Sequence, residues 1–291
     1  MIEEVLGMKL VRWGAWDRER PGLVDGDGTL RDLSGHVANV GCDELSPEGL
    51  QRLKAIDVAT LPLVPDGQRL GVPFSGTRQF IAVGLNYSDH AAESNMPVPA
   101  EPILFTKGVS CLQGPNDEVK KPRNSTKMDW EVELGIVIGS RASYVSEEKA
   151  LDHVAGYVVV DDLSERHFQL ERGGSWDKGK GCETFGPVGP WLVTKDEVGD
   201  VHALGMWLDV NGKRMQTGTT SRMIFDCATL VSYISQFLVL LPGDIITTGT
   251  PPGVGMGMKP PVFLQEGDVI ELGIDKLGSQ RHRVHAWDHP R

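Results

Sequence analysis

A chain of 291 residues, 40% hydrophobic and 24% charged, has an ordinary globular composition and is long enough to bury a substantial core. A net charge of −11, with no basic run, argues against nucleic acid or an anionic membrane surface as the main partner. The apolar stretches are far shorter than a membrane span, the acidic start Met1-Ile2-Glu3-Glu4 has no signal-peptide core, and four scattered cysteines suit reduced thiols, so a cytoplasmic location is expected.

In chain order, 35 glycines and 18 prolines predict many turns and a strand-rich fold. Residues 9–13 and 20–24 read as strands, Asp25-Gly26-Asp27-Gly28 as a hairpin turn, and 29–33 as the returning strand. Ser46-Pro47-Glu48 opens a short helix carrying Leu50, Leu53 and Ile56 on one face. The proline-bearing stretch from Leu61 to Gly76 reads as a connector. A small β-rich N-terminal module over residues 1–70 and a main domain over 71–291 are therefore expected.

Phe80–Gly84 reads as a buried strand leading to Ser88 or Asp89, either of which can cap a short helix. On it His90 and Glu93, three residues apart, would share a face, as a general base and its orienter do; a surface His–Glu pair has the same spacing. The prolines of residues 95–102 predict a surface loop, and 103–107 a strand ending in Lys107.

Met128 to Asp162 is the most informative stretch. Strand periodicity would place Glu131 and Glu133 side by side, on a strand running into the apolar segment Leu134-Gly135-Ile136-Val137-Ile138. A second strand, 157–160, delivers Asp162 at its end. Like-charged carboxylates entering a core need a neutralising partner, and three of them suit a hard divalent cation. By spacing alone, a Glu-x-Glu on a strand is more often the solvated face of a half-buried sheet.

Between these strands residues 147–155 read as a helix; past Asp162, Arg166 suits either an anion partner near the carboxylates or an ordinary surface ion pair, with Gln169 on a similar helical face. The glycine-dense segment 173–187 carries Lys178 and Lys180 without any Walker pattern, and suits either an anion-binding loop or a flexible basic one. Asn211-Gly212 marks a hairpin, and 229–239 a helix. Residues 241–249 and 265–273 echo each other as turn-then-strand, which predicts two strands packed in one sheet. Between them, the backbone N–H groups of Thr250 to Gly257 could form a nest for a carboxylate, helped by the Thr250 hydroxyl.

Five ordered blocks together resemble the fumarylacetoacetate hydrolase family over roughly residues 78–285: Gly84–His90, Asp129–Gly135, Asp161–Arg166, Lys180–Phe185 and Thr248–Gly255. The resemblance implies a mainly β fold with some α, a mixed β-sandwich roll preceded by the N-terminal module, and a homodimer. It also implies Mg²⁺, with Mn²⁺ as an alternative, held by Glu131, Glu133 and Asp162. His90, Glu93 and Lys180 would then be catalytic, while Lys107, Arg166, Gln169 and Thr250 would bind a small 2-oxo acid. His90 and Glu93 favour hydrolysis of a C–C bond in a 2,4-dioxo acid. Resemblance to the bacterial sugar-acid branch narrows this to 2,4-diketo-3-deoxy-L-rhamnonate or fuconate, giving pyruvate and L-lactate. The alternative on the same site is an isomerase or decarboxylase of 2-oxo-dioic acids of the homoprotocatechuate type, or an oxaloacetate decarboxylase.

Overall fold

The computed structural model describes residues 7–89, 98–288 and 290. Its seventeen described strands are β1 (Lys9–Trp13), β2 (Arg20–Val24), β3 (Leu30–Asp32), β4 (Phe80–Gly84), β5 (Ile103–Lys107), β6 (Leu112–Gln113), β7 (Val119–Lys121), β8 (Met128–Asp129) and β9 (Val132–Ile138), then β10 (Val154–Asp161), β11 (Ser164–Glu165), β12 (Gly186–Thr194), β13 (Gly205–Val210), β14 (Lys213–Thr219), β15 (Ile245–Thr247), β16 (Val269–Ile274) and β17 (Gly278–Ala286). A ten-stranded mixed sheet runs β3-β2-β1-β12-β10-β9-β15-β4-β5, with β6 beside β12. A five-stranded sheet, β14-β13-β16-β17-β7, packs across β9, β10 and β12, and β8 with β11 forms a two-stranded ribbon. The mainly β sandwich expected for the chain is the fold observed.

Composition explains which strands lie deepest. β9 and β10 are buried along their whole length, as continuous Val, Leu and Ile runs covered on both faces must be. They pair antiparallel from Val154–Ile138 to Asp161–Val132, so β10 ends where β9 begins. That register brings Asp161 and Asp162 beside Glu131 and Glu133. The N-terminal strands join the same sheet through β1 and β12, with Lys9 opposite Val193 and Leu10 opposite Leu192. The sheet is thus continuous across residue 70.

Several elements depart from the periodicity. The helix expected over 147–155 spans Glu147–Ala150, continues as a single 3-10 turn to His153, and yields to β10 at Val154. The expected 229–239 helix runs Cys227–Ser235, started two residues earlier by Asp226, whose side chain accepts from the Thr229 N–H. The two echoing segments do not share a sheet. β15 is buried on both faces between β4 and β9, whereas β16 alternates in burial and lies between β13 and β17 in the other sheet. A shared turn motif starts both strands but does not choose their neighbours.

Candidate functional site

Glu131 does not lie on the strand that holds Glu133. The expected single strand breaks at Trp130 and Glu131, where Glu131 N–H donates to the Asp161 side chain at Oδ1 (3.2 Å) and Asp162 N–H to the Glu131 carbonyl (2.9 Å). Cross-strand pairing therefore does what side-by-side placement was expected to do. Glu131, Glu133 and Asp162 are all buried, and each offers an oxygen within 4.8 Å of the others.

Three cations surround them. Lys180 Nζ donates to Glu131 Oε2 (2.5 Å) and Asp162 Oδ2 (2.6 Å). It sits at the end of a short helix, Asp177–Lys180, rather than on a flexible loop, and is itself buried. Arg166 starts the helix Arg166–Leu170 and donates through Nη2 to Glu131 Oε1 (2.6 Å), through Nη1 to Gln169 Oε1 (3.1 Å) and through Nε to Asp129 Oδ2 (2.9 Å). Lys107 Nζ donates to the carbonyls of Lys180 (2.5 Å) and Leu163 (3.3 Å) and faces Asp162 Oδ1 at 2.6 Å. Two of its three ammonium donors are thus taken by carbonyls, and its charge faces Asp162. It lies behind the carboxylates and does not line the cavity.

These contacts split the acids electrostatically. Burial works against ionised Glu131, but Lys180 and Arg166 outweigh it and hold the carboxyl well below its ordinary range. Burial, then the charges of Asp162 and Glu131, push Glu133 well above that range. Its Oε2 accepts from the Thr247 hydroxyl and from Gly249 N–H at 2.9 Å. Asp161 is pushed up to about 8, chiefly by burial, and among the described residues its Oδ2 has no hydrogen-bond partner. Lys180 is raised: burial opposes its charge, but Asp162 and Glu131 favour it more.

The cluster forms one side of a cavity of about 590 Å³ that Arg166, Gln169, Lys180 and Thr250 also line, with apolar walls from Val83, Leu85, Phe105, Trp176, Val254, Met256 and Met258. Such a site, charged at one end and apolar elsewhere, suits a small acid with a short tail. The Thr250 hydroxyl donates to the Val132 carbonyl (2.9 Å) and accepts from Gln216 Nε2 (2.8 Å). The nest expected in this segment exists, but the carboxylate in it is internal: Gly255 and Met256 N–H donate to Asp129. Asp129, Asp161, Gln216 and Thr247 are parts of the site that the sequence reading gave no role. The first two stand inside its motifs; the last two come from distant strands and carry no local signal. His90 and Glu93 lie outside the described residues.

The donor set fits a divalent cation. Three buried carboxylates converge, Glu133 is crowded by like charge, and among the described residues Asp162 Oδ1 has no aligned hydrogen-bond donor despite the nearby Lys107.

The family profile described as fumarylacetoacetate (FAA) hydrolase C-terminal matches residues 79–285. The chain is 57% identical over 283 residues to the 2,4-didehydro-3-deoxy-L-rhamnonate hydrolase of Sphingomonas sp. (strain SKA58), covering 97% of this chain and 98% of that one. Its structure is similar to fumarylacetoacetate hydrolase from psychrophilic Exiguobacterium antarcticum, with a TM-score of 0.86, 35% identity and coverage of 96% and 99% of the two chains. It is also similar to maleylpyruvate hydrolase from Sphingobium sp. SYK-6, solved with manganese (II) and pyruvate, with a TM-score of 0.80, 30% identity and coverage of 96% and 99%.

Proposed function

The chain belongs to the fumarylacetoacetate hydrolase family and is a hydrolase of C–C bonds in ketonic substances, and on that premise we propose that it cleaves a 2,4-dioxo acid to pyruvate and a second acid. The observation that carries this reading is the convergence of Glu131, Glu133 and Asp162 beside Lys180 and Arg166 in the cavity. The substrate proposed is 2,4-diketo-3-deoxy-L-rhamnonate, which would give pyruvate and L-lactate. The named activity of the Sphingomonas relative supports it, and so does a cavity with one charged end and apolar walls.

In this reading Glu131, Glu133 and Asp162 hold Mg²⁺ or Mn²⁺; manganese with pyruvate in the Sphingobium neighbour supports a divalent ion here. The ion would supply Lewis-acid polarisation of the 2-oxo group. Arg166 has two guanidinium N–H groups beyond the three bonds described, and with the Gln169 amide these would hold the substrate carboxylate. His90, oriented by Glu93, would take a proton from the water that adds to C4. Lys180 Nζ would give a proton to C3 of the departing three-carbon fragment, so the elements of water divide between the two products. Lys107 and Thr250, both engaged internally, would position Asp162 and the β9 backbone rather than hold the acid directly. We also propose a homodimer, readable as twice the chain mass by light scattering. Among the described residues no helix is long and apolar enough to cross a membrane.

Pyruvate release from a synthetic acylpyruvate, with Mg²⁺ and with chelator, tests the reaction on wild type and Glu133→Ala. Pyruvate should appear with metal and vanish in the variant. Carbon dioxide or an isomerisation absorbance change from a dioic acid, with no pyruvate from any acylpyruvate, would replace this reading with the isomerase–decarboxylase one.

A further inference from the structure

Asp129 is a fully buried carboxylate that the proposed reaction leaves without a role. Both of its oxygens are occupied. Oδ1 accepts from the N–H groups of Trp130 (2.9 Å) and Gly255 (2.7 Å), and Oδ2 from Met256 N–H (3.1 Å) and Arg166 Nε (2.9 Å). The anion therefore joins two parts of the cavity that are about ninety residues apart in sequence.

One part is the wall. Gly255 and Met256 begin a 3-10 turn, Gly255–Gly257, in a segment that supplies Val254, Met256, Met258 and Lys259 to the cavity. A Cβ at Gly255 would lie 2.0 Å from the Val262 carbonyl oxygen and 2.8 Å from Asp129 Oδ1, so glycine is what lets the N–H reach the carboxylate. The other part is Arg166. Its planar fork has three directions, and Asp129, Gln169 and Glu131 take one each, which fixes where its remaining N–H groups point.

We propose that Asp129 is a positioning residue that locks the cavity wall of residues 254–259 to the Arg166 guanidinium, so that one internal anion sets the register between the substrate's carboxylate and its tail. This rests on the reading of Arg166 as the carboxylate holder. Asp129 touches neither the substrate nor the reacting atoms and acts through Arg166 and the wall.

The test pairs amide hydrogen exchange with steady-state kinetics on the full chain with Mn²⁺ and an acylpyruvate. In Asp129→Asn the side-chain amide faces donors it cannot accept from, while the bond from Trp130 Nε1 to the Gly253 carbonyl still anchors the segment. Gly255 and Met256 should exchange at least about tenfold faster, and KM should rise about tenfold with kcat within about threefold, as expected for losing one charge-assisted hydrogen bond. A second pair covers a variant that fails to fold. Met256→Pro removes the N–H given to Asp129, and Met256→Ala keeps it while removing the same side chain, so Gly255 exchange and KM should rise further in the proline variant than in the alanine one. Unchanged exchange, or faster exchange with KM unmoved, would overturn the proposal and leave Asp129 a packing residue. If wild type releases no pyruvate from any acylpyruvate, the functional reading fails, and the positioning role for that reaction fails with it; exchange still reports the wall contact separately.

Discussion

Glu133 meets two opposed demands. Its Oε2 is held by the Thr247 hydroxyl and Gly249 N–H, while burial and the neighbouring carboxylates disfavour its charge. Without a cation the neutral acid is the comfortable form; with one, the carboxylate is. Glu133→Gln keeps the volume and removes the like-charge crowding. The variant without metal should therefore melt no lower than wild type, and the rise in melting temperature that Mn²⁺ gives wild type should shrink, by a linkage of at least about 1.4 kcal/mol, for a tenfold or greater loss of affinity. Differential scanning calorimetry with and without Mn²⁺ reads both. The acidic pattern of this site was legible because Glu131, Glu133 and Asp162 lie in short local motifs. The contacts of Lys107 were not, since strand composition places the residue without saying that its ammonium is used by the carbonyls of Lys180 and Leu163.

At the scale of elements, β10 is the strand on which the site depends, because it ends at Asp161 and hands Asp162 to the cavity. Gly156 lies opposite Val137 of β9 and Thr194 of β12. Both pairings slip register near it, between Val154 and Gly156 on one side and between Tyr157 and Val159 on the other. A Cβ there would lie 2.1 Å from the Val193 carbonyl oxygen, a backbone atom that cannot swing away. Gly156→Ala should cost about 1–3 kcal/mol as an overpacked contact, lowering the melting temperature by at least about 2 °C. Mn²⁺ affinity should fall as well if β10 shifts toward its carboxylate end; thermal melts and metal titration check the pair. A glycine inside a strand signals close approach from sequence, but which backbone approaches depends on a partner strand about forty residues away.

Across the whole molecule the two large sheets are joined by polar side chains of β17. Gln280 Nε2 donates to the Val159 carbonyl (2.7 Å) and the Gly189 carbonyl (2.9 Å), which fixes its Oε1 toward His282 Nε2 at 3.0 Å. His282 Nδ1 faces the Asp117 carbonyl at 3.3 Å. Burial nevertheless lowers His282 to about 4, so the folded chain keeps it neutral where the unfolded chain takes up a proton. Stability from this group is complete above the unfolded value near 6.5, and is lost as pH falls from there toward 4. Between pH 7.5 and 5 the loss should be about 2 kcal/mol. Denaturant melts at the two pH values should show that difference in wild type and a smaller one in His282→Gln.

The sequence by itself determined the strand-rich composition, most strand positions, the carboxylate motif and the family resemblance, because each is written in residues close together. It marked Thr250–Gly257 as a nest but did not say that Asp129, about 120 residues earlier, fills it. It showed 241–249 and 265–273 as similar, but their sheets follow from different burial and different partners. Tertiary structure alone decided that Glu131 leaves the strand and that Gln216 and Thr247 support the site, since those contacts form only when β9, β10, β14 and β15 have met.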